Sequence, residues 1–194
     1  MAINYKQCVR CGSKNVFSII YGLPSEEGYL LAGTRRITFG GCCITPESPD
    51  YQCQECDQEW TRMEAVNVAY RKIKILKASV GGFGGPHYDA EINLINHTVS
   101  WHGRENDHEE TPVETVEHKI RKYNRETLLE MLKTLDILIW KSKYVAHGVC
   151  DGTQWGLEIV RDGRTIQKYG SNAYPENWNH FCKLIRRMTR RRFA

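Results

Sequence analysis

In the first sixty residues the apolar positions fall in short runs separated by turn-forming residues. Val16-Phe17-Ser18-Ile19-Ile20-Tyr21 is a run of strand length, broken by Gly22 and Pro24. A polar, Gly-containing stretch leads to residues 34–39, followed by Gly40-Gly41 and Cys42-Cys43. Pro46 and Pro49 precede Tyr51-Gln52-Cys53-Gln54-Glu55-Cys56-Asp57, and a closing strand is expected through Trp60 and on toward Tyr70.

Longer alternating segments follow. Residues 72–80 are strand-like, Gly81-Gly82-Phe83-Gly84-Gly85-Pro86 marks a turn, and 87–94 alternates with Tyr88, Ala90, Ile92 and Leu94 on one face. Asn96-His97 predicts a hairpin turn into 98–102, and the acidic stretch 105–117 predicts a loop. Asn124 is placed to cap a helix running to about Lys141, with Leu128, Leu132, Leu135 and Ile139 at helical spacing. Trp155, Leu157 and Ile159 alternate along another strand, Asp162-Gly163 supplies a two-residue hairpin turn, and 164–169 returns. Pro175 fits the first turn of a last helix whose core face is Trp178, Phe181, Ile185 and Met188. Strands, helix, hairpin and helix in that order give an α+β protein, with an antiparallel sheet and two helices in the second part. The change of pattern near Tyr70 divides the chain into 1–70 and 71–194.

The chain has 194 residues, 41% hydrophobic and 26% charged, an ordinary globular balance. The apolar segment 128–140 is too short and too charged to cross a bilayer. Residues 1–15 carry Lys6 and Arg10 but no apolar signal-like run, so a cytoplasmic location is expected.

That expectation shapes the reading of the eight cysteines. Four of them form two Cys-x-x-Cys pairs, Cys8/Cys11 and Cys53/Cys56, and in a reducing compartment such pairs bind metal or do redox chemistry. A redox pair belongs at the start of a helix, whereas these flanks predict strands. Zn²⁺ takes four soft ligands in a tetrahedron, and two such turns would make a closed structural site. Gly12 and Asp57, each following the second cysteine of a pair, tolerate the tight turn. The 41 intervening residues cost little extra in loop entropy. Cys42 and Cys43 stand open as rival ligands or as small residues of other use.

Residues 8–60 resemble a family of small uncharacterised bacterial zinc-ribbon proteins. The likeness rests on Cys8, Cys11, Gly12, Ser13, Ile19, Tyr21, Gly22, Pro24, Gly40, Gly41, Cys42, Pro49, Cys53, Cys56 and Trp60. It implies a β-rich zinc ribbon and no activity. Residues 73–190 more loosely resemble an uncharacterised bacterial α+β domain, through Pro86-x-Tyr88, Val99-Ser100-Trp101-His102-Gly103, Asp151-Gly152-Thr153-Gln154-Trp155 and the run from Tyr169 to Pro175. That likeness implies a compact module and no known substrate.

Other candidate chemistry is thinner. Gly81 to Gly85 lacks the following helix and Lys-Ser/Thr pair of a phosphate loop and is expected to be a turn. His147 with Cys150 and Asp151 has no visible orienting partner. His102, Asp107, His108 and His118 match no familiar metal spacing. Asp151, Trp155, Tyr169, Asn172 and Tyr174 cluster at the ends of one expected hairpin and would line a pocket there, or simply form its turns and core.

The net charge is +4, and it is unevenly spread. Lys183, Arg186, Arg187, Arg190, Arg191 and Arg192 lie in the last fifteen residues, where no acid offsets them. Arg186, Arg187, Arg190 and Arg191 fall at helical spacing opposite the apolar stripe of the last helix, as a phosphate-binding face or a solvated helix end. The leading expectation is a zinc-binding, non-enzymatic interaction module for nucleic acid or a partner protein. The alternatives are a small-ligand-binding or enzymatic α+β domain with the ribbon as a structural appendage, and an accessory protein of a mobile element or defence system.

Overall fold

The computed structural model describes residues 2–105, 114–148 and 152–194. The chain divides into two compact units, Met1–Arg71 and Lys72–Ala194. Four helices and two sheets among the described residues make it an α+β protein. No described helix is long and apolar enough to cross a membrane.

The first unit holds a sheet of β1 (Val16–Ile20), β2 (Ile37–Phe39), β3 (Tyr51–Cys53) and β4 (Glu59–Trp60) in the order β2-β1-β3-β4. β1 and β2 pair in parallel, which requires a crossover. α1 (Glu26–Gly33) lies in that crossover, where the apolar pattern predicts only a polar stretch. The residues at its start do carry a helix signal: Ser25 accepts from the Gly28 amide at 3.2 Å, and Glu26 and Glu27 fill the first turn. α2 (Arg62–Arg71) replaces the strand expected toward Tyr70, with Ala65, Ala69 and Tyr70 buried. Thr61 and Glu64 form a reciprocal capping box there. The Glu64 amide donates to Thr61 Oγ1 at 3.1 Å, and the Thr61 amide donates to Glu64 Oε2 at 2.7 Å. The apolar spacing of 60–70 therefore serves a helix.

The second unit is built on a sheet of seven strands in the order β8-β7-β6-β5-β10-β11-β9. They are β5 (Ile73–Gly82), β6 (His87–Asn93), β7 (Thr98–Arg104), β8 (Glu114–Lys119), β9 (Lys143–Val145), β10 (Thr153–Arg161) and β11 (Arg164–Ser171). All neighbours pair antiparallel except β9, which runs parallel to β11. β8 takes up the end of the acidic stretch expected to be a loop. Its pairing with β7 sets Val116 beside Trp101 and His118 beside Val99.

One face of the sheet is apolar and packs on α3 (Arg125–Thr134) and α4 (Trp178–Thr189). Trp155, Leu157 and Ile159 are buried there, as are Trp178, Phe181, Ile185 and Met188 of α4. The rings of Trp155 and Trp178 lie 4.7 Å apart, and Trp140 meets Phe181 edge-on at 5.4 Å. Asn124 caps α3 as expected, accepting from the Thr127 amide at 2.8 Å. The helix stops at Thr134 and not near Lys141. Asp136 adopts φ +56°, so Ile137, Leu138 and Trp140 turn inward while Ile139 is exposed. Pro175 precedes α4 instead of opening it: the Trp178 amide donates to Pro175 O at 3.0 Å, one turn before the helix. Lys168 is buried, and its ammonium donates to the carbonyls of Leu138 and Trp140 in the turn after α3.

Candidate metal centre

Two matching turns build the cysteine cluster. In the first, the Cys8 amide donates to Ser13 O at 2.9 Å and the Gly12 amide to Cys8 O at 3.1 Å. In the second, the Cys53 amide donates to Gln58 O at 2.8 Å and the Asp57 amide to Cys53 O at 3.2 Å. Gly12 and Asp57 occupy equivalent left-handed positions, at φ +77° and +55°. Glycine reaches that region freely and aspartate at modest cost, which is why these residues suit the two turns.

The turns face each other, and the four Sγ atoms of Cys8, Cys11, Cys53 and Cys56 lie within 4.8 Å of one another. Cys8 and Cys56 approach to 3.6 Å, Cys11 and Cys53 to 3.5 Å, and Cys56 and Cys11 to 3.6 Å. A tetrahedral ion with metal–sulfur bonds of about 2.3 Å has sulfur–sulfur edges of about 3.8 Å. The cluster is thus nearly the size of a loaded Cys₄ site. Backbone amides point at the sulfurs as well. Arg10 and Cys11 approach Cys8 Sγ at 3.4 and 3.5 Å, and Glu55 approaches Cys53 Sγ at 3.4 Å.

Those dipoles favour thiolate. Burial opposes ionisation of Cys8, but the amides of Cys11 and Arg10, with the neighbouring thiols, bring it down to about 6. For Cys11 the Ser13 backbone contact acts downward; partial burial and the crowding of Cys53, Cys8 and Cys56 override it and push the thiol up to about 12. One thiolate forms readily and its neighbours then resist, because four negative charges within 4.8 Å need a cation among them. The donor set, its spacing and its charge fit a metal ion. Cys8 and Cys53 are buried in the core of this unit with Val16, Tyr51, Trp60 and Ala65. The Trp60 indole donates to Tyr5 O at 3.0 Å, tying the N-terminal segment to β4. Cys42 and Cys43 lie outside the cluster, exposed, with their sulfurs 3.7 Å apart.

The remaining sequence candidates are dispersed. Trp155 is buried with its indole donating to Ala173 O at 2.9 Å, and Asn172 Oδ1 accepts from the Thr153 amide at 2.9 Å. Both hold the corner that leads to α4. Tyr169 projects from the opposite face of the sheet, being paired with Gly156 next to Trp155. Tyr174 lines a separate cavity of about 410 Å³ beside Pro175 and Trp178. Among the described residues, Trp155, Tyr169, Asn172 and Tyr174 therefore do not line one cavity; Asp151 lies outside the described residues, as do Cys150, Asp107 and His108. His147 is exposed. His102 and His118 sit on opposite faces of the sheet, the first against Thr115 Oγ1 at 3.0 Å and the second against Met188 O at 3.0 Å. Gly81 and Gly82 end β5, and Gly84 turns the chain at φ +65° into β6, so no helix N-terminus follows the glycine run.

The arginine tail departs from its expected form. Only Arg186 and Arg187 lie on α4, because Arg190 leaves the helix at φ +57°. The chain then folds back: the Trp101 indole donates to Arg192 O at 2.9 Å and Phe193 is fully buried. Arg191 pairs with Glu114 at 2.7 Å, and the guanidinium of Arg187 sits 5.7 Å from the Tyr123 ring. Burying Phe193 outweighs continuing a helix of arginines into water.

The fold and the cluster together define an α+β protein with four cysteines placed to hold a metal ion. No protein-family model matches the chain, and no curated protein matches it.

Proposed function

We propose that Cys8, Cys11, Cys53 and Cys56 hold one structural zinc ion, that the first unit is a zinc ribbon of the kind it resembles in sequence, and that the protein is a non-enzymatic interaction module with a protein partner. The four sulfurs within 4.8 Å of one another, with three contacts of 3.5 to 3.6 Å near the edge of a filled tetrahedron, carry the zinc assignment. All four positions would be taken by protein, which leaves none for substrate.

The choice of a protein partner rests on α1. This helix buries none of its residues, and Tyr29, Leu30 and Leu31 are exposed, together with Leu23 just before it. Contiguous exposed apolar side chains on a small metal-held scaffold suit a protein contact. The basic tail supports a polyanion less well, since Arg191 already faces Glu114 and Arg187 lies over Tyr123.

Two measurements test this. Elemental analysis of purified protein should give one zinc per chain, lost in Cys53→Ser; a metal-free folded protein with a Cys8–Cys11 disulfide would overturn the zinc assignment. Affinity purification from the native cell should retain a stoichiometric partner that Leu30→Glu releases. Salt-sensitive binding of DNA or RNA, with no protein retained, would put nucleic acid in the partner's place.

A further inference from the structure

The second unit carries a groove on the sheet face opposite α3 and α4, with polar side chains set along a largely apolar lining. A cavity of about 460 Å³ lies over β7, β6, β5, β10 and β11, within the range of small-ligand sites. Period-two alternation, which sends Trp155 and Leu157 to the core, sends their neighbours here.

The strand register sets these neighbours in two rows. One row runs His102, Asp89, Ser79, Gly156, Tyr169. In it, Gly156 stands at a central strand position where any side chain would fill the groove: a Cβ there would come within 2.7 Å of Ser79 Oγ. Glycine inside a strand weakens the sheet and marks a bulge, a bend or a close approach by a ligand or another backbone; the register irregularity of this strand falls at Val160 and Arg161, away from Gly156. Tyr169, next across the sheet, is half-exposed and walls the gap, while Lys143 sits toward its ring from the outer strand at 5.7 Å.

The second row supplies polar groups already held in place. Lys77 pairs with Glu91 at 3.4 Å, and the Gln167 amide donates to Glu158 at 3.0 Å. Arg104 holds Asp89 at 2.7 Å beside the first row. Two of the three carboxylates are thus paired with cations, Glu91 with Lys77 and Asp89 with Arg104, and Glu158 takes a neutral amide. That leaves little net attraction for a charged ligand and many fixed donors and acceptors. Carboxylates accept from hydroxyls, the Lys77 ammonium donates to them, and Ser79 and Tyr169 can do either. An aromatic wall suits the apolar face of a ring.

From this we propose that the groove binds a neutral, polyhydroxylated ligand of monosaccharide or disaccharide size, with Gly156 as its floor and Tyr169 as its wall. All of its lining residues belong to the second unit.

The test is isothermal titration of the 194-residue chain, purified with zinc present, with glucose, galactose, N-acetylglucosamine and maltose, and with arginine, spermidine and adenosine monophosphate as charged controls. At least one sugar should bind saturably. Gly156→Val, a substitution suited to a strand, should weaken that binding at least about tenfold, equivalent to about 1.4 kcal/mol. Tyr169→Ala, at a half-exposed position, should weaken it comparably and serves as the decisive variant if Gly156→Val unfolds. The proposal is overturned if no sugar binds the folded protein, if a charged control binds and the sugars do not, or if sugar binding survives Tyr169→Ala undiminished.

Discussion

The two units reach stability by different routes. In the first, the core is Cys8, Val16, Tyr51, Cys53, Trp60 and Ala65, so two of its buried residues are also members of the metal cluster. Its longest strand has five residues and α1 buries nothing. In the second, strands of up to ten residues back onto two helices, and Trp140, Trp155, Trp178 and Phe181 pack ring on ring. A segment of about seventy residues buries too little apolar surface to be comfortably stable alone, and a structural metal is a common remedy. The surfaces differ as well: the smaller unit leaves apolar side chains outside, and the larger sets polar side chains along one sheet face.

Metal removal should separate the units most sharply. Structural zinc contributes about 10–16 kcal/mol of apparent binding free energy in small domains. Chelation, or Cys53→Ser, should therefore unfold the first unit while the helical circular-dichroism signal of α3 and α4 persists. Complete loss of that signal would show that the two units fold as one.

The mirror-image perturbation is Trp178→Ala. It removes the ring that meets Trp155 at 4.7 Å and Phe181 at 5.7 Å, and it should cost the second unit about 3–5 kcal/mol in denaturant unfolding. Zinc content should stay at one per chain; its loss would contradict the division of labour.

A smaller effect should follow Lys168. Burial lowers its ammonium to about 8, below the ordinary value of 10.5. Between those values the unfolded chain holds a proton that the folded chain has released, so this residue's contribution makes stability rise with pH across that window. Below about 8 both states are charged and the burial penalty is present in full. Lys168→Met should flatten the rise, and the difference between the two melting-temperature profiles isolates it from other titrations. Identical slopes would mean that the two carbonyl contacts keep the ammonium charged throughout.

The smallest effect concerns the tail. Arg186, Arg187, Arg190 and Arg191 changed together to Gln should cost at most about 1 kcal/mol, since the exposed Arg191–Glu114 ion pair is the main interaction this removes. If the arginines do bind phosphates, log K against log salt should slope by about −0.7 per phosphate on single strands and about −0.9 on duplex, and the variant should flatten it. The absence of salt-sensitive binding in wild type would leave them as a folded-back helix end.

Much of the metal site is legible in the sequence because it is local. A Cys-x-x-Cys turn is fixed by four adjacent residues, and Gly12 and Asp57 mark where each must tighten. That the two turns meet is what a four-thiolate site would require, whatever the intervening chain does. The strands of the second unit are legible for a similar reason, since alternation is written residue by residue. The helices are less so. α2 is hidden although Thr61 and Glu64 spell its cap, because the short apolar spacing before Tyr70 suits a strand as well as a helix. α3 ends before its leucine period does, because that period continues past the point where Asp136 turns the backbone.

The sequence by itself determined which residues carry thiols, which positions face in or out along each strand, and where the charge lies. Tertiary structure alone decided which of these meet. The register of β7, β6, β5, β10 and β11 brings Asp89, Ser79 and Tyr169 into one row although up to about ninety residues separate them. The burial of Phe193 draws the arginine tail back against the sheet. Spacing along the chain fixes periodicity, but strand order and the competition for buried volume are properties of the whole fold, and no local pattern encodes them.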